Sequence, residues 1–151
     1  MTFRRLVLLA PAAFLLHIGE EAPRFVAWTR LYPSWFSPTL SDTVFAVTNI
    51  VYMLLVIVAV LLCALRSAVT LGLAVIAFLF ANALFHIGFT IVSGVYSPGT
   101  VTAILLYVPL TMGSLYCAQR EGLLNNRRVA LAVLLGALVA NAPLRIMQRW
   151  V

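Results

Sequence analysis

The chain alternates between long apolar segments and short breaks that contain proline, glycine or polar residues. A helix that crosses a membrane needs about 20 apolar residues, and five segments approach or exceed that length. They run roughly from Arg5 to Trp28, Thr43 to Leu65, Ser67 to Ser93, Val101 to Gln119 and Val129 to Gln148. This pattern predicts an all-α transmembrane bundle of about five helices.

The breaks between these segments have local physical causes. Pro33 cannot continue a helix, because proline lacks the backbone N–H that a helical hydrogen bond requires. The pair Arg66-Ser67 fits a short hairpin between two helices. The sequence Tyr96-Ser-Pro-Gly is typical of a turn. We therefore expect short loops and helices that run in alternating directions.

Composition also favours a membrane protein, because 64% of the residues are hydrophobic and 9% are charged. A soluble domain usually has roughly 25% charged residues. Five spans would occupy most of the 151 residues and leave no room for a second, soluble domain. We expect residues 1–151 to form one multi-pass domain in a bacterial plasma membrane, with membrane lipids as partners.

The formal net charge of +6 reflects ten arginines and no lysine. A basic chain can bind nucleic acid, but these arginines mostly flank apolar segments, where they orient helices in the membrane. Six of them fall on one side of the five-span arrangement: Arg4, Arg5, Arg66, Arg120, Arg127 and Arg128. The positive-inside rule then places the N-terminus in the cytoplasm. We expect no nucleic-acid partner.

Polar residues inside the apolar segments concentrate at one depth. At a rise of 1.5 Å per residue, they fall in the outer half of four predicted helices. They are His17, Glu20 and Glu21 on the first, Asn49 on the second, Asn82 and His86 on the third, and Asn141 and Arg145 on the fifth. A charge at the centre of a membrane helix costs about 2.5–3.5 kcal/mol and is kept where it pairs or lines a cavity. This convergence predicts a functional site toward the outer face.

These residues resemble the motifs of the HXXEE-motif family of small integral membrane proteins. The motif that names the family is matched by His17-Ile-Gly-Glu20-Glu21. An Asn-x-x-x-His motif is matched by Asn82-Ala-Leu-Phe-His86, and a Tyr-x-Pro-Gly motif by Tyr96-Ser-Pro-Gly. The resemblance implies an enzymatic role in which a metal is one option, and it implies no particular substrate.

The two imidazoles and the carboxylates form a set that suits Zn²⁺, Fe²⁺ or Mn²⁺. His17 with Glu21, or His17 with Glu20, would ligate a metal from the first helix, and His86 from the third. The remaining glutamate would then be the general base of a metal-assisted hydrolysis. Alternatively, His17 bonds Glu21 one turn later and no metal is bound. The sequence favours neither version.

The same cluster also supports acid–base chemistry without a metal. Two adjacent glutamates in a low-dielectric setting cannot both ionise easily, so one would be protonated and could start an isomerisation or cyclisation. The candidate catalytic residues are Glu20, Glu21, His86 and Tyr96. The last is included because its hydroxyl could donate a hydrogen bond to an oxyanion, although the turn alone also explains this motif.

Four further residues are candidates for binding a substrate: Asn49, Asn82, Arg24 and Arg145. Arg24 follows His17 by seven residues, which places it on the same stripe of a continuous helix. The two arginines would bind a phosphate or carboxylate headgroup. The alternative, which the sequence favours for Arg24 and the two asparagines, is that Arg24 snorkels to the interface and that the asparagines form hydrogen bonds between helices.

Two other functions remain open. A small proton- or cation-coupled transporter would use the buried glutamates and histidines, but the inner halves of the segments offer few polar steps for an ion. A haem held between His17 and His86 is a more distant alternative. We favour a membrane enzyme that acts on a lipophilic or amphiphilic substrate by metal-assisted hydrolysis or acid–base rearrangement.

Overall fold

Helices account for all the regular structure in the part of the chain that the computed structural model describes. The backbone is described for residues 1–36 and 40–147, and the side chains for residues 1–36 and 40–140. The helices are α1 Phe3–Val7, α2 Ala10–Glu21, α3 Phe25–Thr29, α4 Asp42–Arg66, α5 Val69–Ser93, α6 Thr100–Thr102, α7 Val108–Arg120 and α8 Asn126–Met147. A π-helical segment, Ala103–Tyr107, joins α6 to α7. The predicted all-α class is confirmed.

Among the residues that the structure describes, three helices are long and apolar enough to cross a membrane: α4, α5 and the continuous helix Thr100–Arg120. They correspond to the second, third and fourth predicted spans. Leu54 and Val58 on α4, and Val92 on α5, expose more than half of their surface, as expected for side chains that face lipid. The chain is therefore a helical protein of membrane type. The count of five spans and the cytoplasmic N-terminus stay predictions.

The first predicted span is wrong as a single helix, because the structure divides it into α1, α2 and α3. Pro11 lacks the N–H that would bond the carbonyl of the residue four positions earlier, and the chain turns just before it. Pro23 interrupts the helix again, so α2 ends at Glu21. Arg24 is consequently not on the stripe of His17. It lies at the start of α3 and is exposed.

Helices α4 and α5 form an antiparallel hairpin with well-defined ends. The hydroxyl of Ser41 accepts the backbone N–H of Val44 at 3.2 Å and caps the start of α4. At the other end, Ser67 adopts a left-handed conformation with φ of 58°, and the N–H of Ala68 bonds the carbonyl of Leu62 at 3.2 Å. The predicted hairpin at Arg66-Ser67 is confirmed.

The N-terminal segment packs at the end of the bundle where the turn between α4 and α5 lies. The backbone N–H of Phe3 donates to Glu121 Oε1 at 2.8 Å, just after α7. The Phe3 ring is fully buried and lies beside Gly72, near the start of α5. We call this the arginine end, and the opposite end, where α5 finishes and α6 begins, the site end. The six arginines that the five-span prediction places on one side of the membrane lie at or next to the arginine end: Arg4, Arg5, Arg66, Arg120, Arg127 and Arg128.

Candidate functional site

Three titratable side chains from two helices meet inside the bundle near the site end. His17 and Glu21 lie one turn apart on α2, and His86 lies on α5. The distance from His86 Nε2 to Glu21 Oε1 is 3.2 Å, and that from His17 Nε2 to Glu21 Oε2 is 3.7 Å. All three are buried, and one ligand atom from each lies within 4.8 Å of the others. The group could therefore hold a metal ion.

A hydroxyl group fixes the orientation of the first imidazole. His17 Nδ1 lies 2.8 Å from Thr102 Oγ1, which is itself 2.6 Å from Glu20 Oε2. Because the hydroxyl has one proton and a carboxylate is the stronger acceptor, Thr102 donates to Glu20 and accepts a hydrogen bond from His17. This relay leaves His17 Nε2 without a proton in the neutral ring and directs it toward Glu21.

A second hydroxyl serves His86 in the same way. His86 Nδ1 lies 3.0 Å from Ser97 Oγ, and both residues are buried. Ser97 is held in turn, because its backbone N–H donates to Thr90 Oγ1 at 3.0 Å. With Nδ1 engaged, Nε2 of His86 faces the carboxylate of Glu21. Both histidines thus present the same nitrogen to one acid.

The two adjacent glutamates have different environments. Glu20 Oε1 accepts the backbone N–H of Gly99 at 3.0 Å and that of Val101 at 3.1 Å. Glu20 Oε2 accepts the N–H of Thr102 at 2.7 Å as well as its hydroxyl, and the hydroxyl of Tyr96 donates to Oε1. The carboxylate therefore caps the N-terminus of the helix that begins at α6, where unpaired N–H groups favour a negative charge.

Tyr96, a predicted catalytic residue, lies in the loop between α5 and α6. Its hydroxyl binds Glu20 rather than the group formed by His17, Glu21 and His86. Partial burial and the hydrogen bond to the Glu20 carboxylate raise the pKa of Tyr96 to about 12. The phenol therefore stays protonated at neutral pH and acts as a donor to Glu20.

Gly99, in the same loop, packs directly against both imidazoles. Its φ is 101°, a conformation that residues with a side chain rarely adopt. A Cβ atom there would lie 2.7 Å from His17 Cε1 and 3.0 Å from His86 Cε1. Glycine is thus required both by the backbone and by the available space. The contact brings the three sequence motifs together in one place.

Tyr107 is a residue of the site that the sequence analysis did not find. It is fully buried at the end of the π-helical segment, and its ring centroid lies 4.5 Å from that of His17. Its hydroxyl lies within electrostatic range of Glu21. Segments of π-helix often occur at functional sites, but an apolar run with one tyrosine gives no sign of such a turn.

Three buried polar atoms at this site form no hydrogen bond within the described part of the chain: His17 Nε2, Asn82 Oδ1 and the Tyr107 hydroxyl oxygen. Leaving a buried polar group unpaired costs about 1–3 kcal/mol. Their elements differ, since the residues lie on α2, on α5 and in the π-helical segment. A polar ligand at this site would satisfy atoms that the described part of the chain leaves unpaired.

A cavity of about 320 Å³ lies beside this group. Glu21 and His86 form part of its wall, together with the candidate binding residues Asn49 and Asn82. Six phenylalanines provide much of the remaining wall: Phe14, Phe25, Phe36, Phe45, Phe78 and Phe85. Such a cavity suits an apolar molecule with few polar groups.

Unlike Asn49 and Asn82, neither candidate binding arginine is found in the wall of the cavity among the described side chains. Arg24 is exposed and is not among the residues that line the cavity. The side chains of Asn141 and Arg145 lie outside the described residues, although their backbone belongs to α8. Their proposed contact with a headgroup stays a prediction.

Comparison with known proteins agrees with the motifs. A family described as "Protein of unknown function with HXXEE motif" matches residues 8–113, which include α2, α4, α5 and the Tyr96–Gly99 loop. Searches of curated proteins and of solved structures give no match. Since the family match covers more than half of the chain and contains all three motifs, the chain belongs to the HXXEE-motif family.

Proposed function

We propose that this protein is an integral membrane metalloenzyme that acts on a lipophilic or amphiphilic substrate. One observation carries the proposal: a buried carboxylate, Glu21, faces Nε2 of both His17 and His86 at the wall of an aromatic cavity. Ionisable residues inside membrane proteins are costly and usually mark functional sites. Metal-assisted hydrolysis or acid–base rearrangement is the chemistry that this set supports.

The residues fit a divalent metal. Two imidazoles and one carboxylate form the ligand set of several catalytic zinc sites and of non-haem Fe²⁺ sites. His17 Nε2 makes no hydrogen bond within the described chain, which is the state that a ligand nitrogen requires. A metal at this position would supply a Lewis acid and lower the pKa of a water molecule.

The remaining residues have distinct tasks in this proposal. Thr102 and Ser97 hold the imidazoles by Nδ1, and Glu20 anchors Thr102. The Asn82 amide lines the cavity, and its Oδ1 has no hydrogen-bond partner of normal geometry in the described part of the chain, so it hydrogen-bonds the polar group of the substrate. The phenylalanines exclude water, and electrostatic interactions are stronger in such an environment.

The contacts of Glu20 count against a proton-coupled transporter that uses this residue as its proton carrier. A proton carrier must alternate between charged and neutral states, whereas both oxygens of Glu20 accept hydrogen bonds that favour the charged state. Protonation would weaken the cap of the helix that begins at α6. A fixed structural anion fits a site with a constant geometry.

Metal binding tests the first part of the proposal. The purified protein is incubated separately with Zn²⁺, Fe²⁺ and Mn²⁺, desalted, and analysed by mass spectrometry for metal. We expect about one ion per chain with at least one metal, and at least a tenfold loss in His86→Ala and Glu21→Gln, because each removes a ligand.

Glu121→Gln is the matched control, since Glu121 accepts a hydrogen bond from Phe3 far from the site and should retain full metal content. Negligible metal in the wild-type protein would contradict a metalloenzyme. The loaded protein is then incubated with a bacterial lipid extract. A product that requires both metal and Glu21 supports catalysis, and an unchanged extract counts against it.

A further inference from the structure

We infer that the cavity binds one amphiphile with a single chain of about ten carbon atoms, whose polar end lies at Glu21 and Asn82. The inference deepens the proposed function, because it names the substrate class of the same site. It rests on the size of the cavity, on the distribution of unpaired polar atoms and on the surface to which its wall belongs.

The volume of the cavity corresponds to one short chain. A water-sized or methylene-sized group occupies about 30 Å³ in a liquid, so a cavity of 320 Å³ holds about ten such groups. A phospholipid with two long acyl chains has several times that number of carbon atoms. The cavity therefore suits a short acyl, alkyl or isoprenoid chain.

The distribution of polar atoms determines the direction of the chain. On α4, the Asn49 amide donates to the carbonyl of Phe45 at 3.0 Å, and the Tyr52 hydroxyl donates to that of Ala140 at 2.8 Å. These wall residues already have protein partners. By contrast, Asn82 Oδ1 has no hydrogen-bond partner of normal geometry in the described part of the chain, and the Asn82 side chain lies near His17, one turn before His86 on α5. The polar end of a ligand is thus best satisfied beside Asn82, and its chain lies along the phenylalanines.

Part of the cavity wall belongs to the lipid-facing surface of the bundle. Ala81 and Phe85 line the cavity and are exposed on α5. Their neighbour Leu84 exposes 56% of its surface, and Ile50 on α4 exposes 60%. Apolar surface of this kind contacts lipid chains in a membrane protein. An amphiphile that is already dissolved in the bilayer can therefore reach the cavity without crossing water.

A chain-length series tests the inference. The protein is placed in nanodiscs of defined phosphatidylcholine, stripped of metal with a chelator, and mixed with n-alkanols of 6 to 18 carbon atoms at equal ratios to lipid. Native mass spectrometry then counts bound alkanol. We expect one bound molecule, with maximal occupancy near ten carbons and at least a fivefold lower occupancy at 18.

Two cavity variants should move this optimum in opposite directions. Ala81→Leu adds three carbon atoms to the wall and should shorten the preferred chain by about three carbons. Phe45→Ala removes a ring from the wall and should lengthen it. Phe80→Ala is the control, because Phe80 lies on α5 but is not among the residues that line the cavity.

The alkanol-binding results either support or contradict a cavity that binds one short chain. An optimum that moves as described supports it. Absence of a saturable single site, or the same length dependence in the wild type and in both cavity variants, overturns it. The assay uses metal-free protein, so it tests the cavity separately from the metal. If the protein binds alkanol but never binds metal, the metalloenzyme proposal is wrong and this inference still holds. Metal binding without alkanol binding would do the reverse.

Discussion

At the scale of single residues, Thr102 determines which form of His17 the site contains. Its hydroxyl lies between the Glu20 carboxylate and His17 Nδ1, at 2.6 and 2.8 Å. A change in this one hydroxyl should therefore alter His17 without removing a metal ligand. Partners of this kind typically affect metal affinity 10- to 100-fold.

Thr102→Val preserves the shape of the side chain and removes the hydroxyl. We expect metal affinity, measured by competition with a chelator, to fall by about 10- to 100-fold. In the metal-free protein, ¹⁵N NMR should show a protonated Nδ1 of His17 in the wild type and a loss of that state in the variant. Thr102→Ser retains the hydroxyl and should behave like the wild type. Identical ¹⁵N shifts in wild type and Thr102→Val would contradict the relay.

Some residues of the candidate site can be recognised from the sequence and others cannot, for a physical reason. His17, Glu21 and His86 stand out because ionisable groups are costly in apolar helices. Thr102, Ser97 and Tyr107 do not stand out, since an uncharged hydroxyl group costs far less in an apolar segment than a charge does. Their roles follow from contacts between distant segments, and spacing along one helix does not reveal such contacts.

At the scale of elements, the loop between α5 and α6 is the part that completes the site. In this loop, Gly99 packs against both imidazoles, and the Ser97 hydroxyl is the hydrogen-bond partner of His86. Glu20 on α2 holds the far side of this loop by accepting the N–H groups of Gly99 and Val101. Helix α2 and the loop therefore position each other.

Two glycines of this loop separate backbone strain from steric contact. Both Gly94, with φ of 68°, and Gly99, with φ of 101°, have left-handed backbones, but a Cβ at Gly94 meets nothing within 4 Å. Gly94→Ala should cost about 1–2 kcal/mol of stability and keep metal binding. Gly99→Ala should cost more and lower metal content at least tenfold, because the new Cβ displaces His17 and His86.

Thermal unfolding in detergent and metal analysis of the refolded fraction measure both effects. Similar metal content in the two alanine variants, at equal purity and helicity, would show that the contact between Gly99 and the imidazoles is unimportant.

Some of the helices could be predicted from the sequence and others could not. The α4–α5 hairpin follows from two long apolar runs around Arg66-Ser67, and the structure agrees. The division of the first segment into α1, α2 and α3 was not predicted, because an apolar pattern continues through Pro11 and Pro23 although the hydrogen bonds do not. Hydrophobicity indicates which segments are surrounded by lipid or core. It does not indicate which prolines end a helix, since Pro109 lies inside the continuous helix Thr100–Arg120.

At the scale of the whole molecule, six of the ten arginines and the candidate site lie at opposite ends. The arginine end contains the N-terminal segment, the Arg66 turn and the loop after α7, and the site end contains the loop before α6. The positive-inside rule favours the arginine end in the cytoplasm. The group formed by His17, Glu21 and His86 would then lie toward the outer side, open to substrates from the outer leaflet.

Cysteine labelling tests this orientation in bacterial cells that express the protein. Cys63 and Cys117 are first replaced by alanine, and one cysteine is introduced at Val95 or at Asn126, both of which are exposed. A membrane-impermeant maleimide should label Val95→Cys in intact cells and Asn126→Cys after permeabilisation, because the two positions lie beyond opposite ends of the helix Thr100–Arg120. The reverse pattern would place the site on the cytoplasmic side, where the substrate would have to come from the inner leaflet. Labelling of both positions in intact cells would contradict a helix Thr100–Arg120 that crosses the membrane.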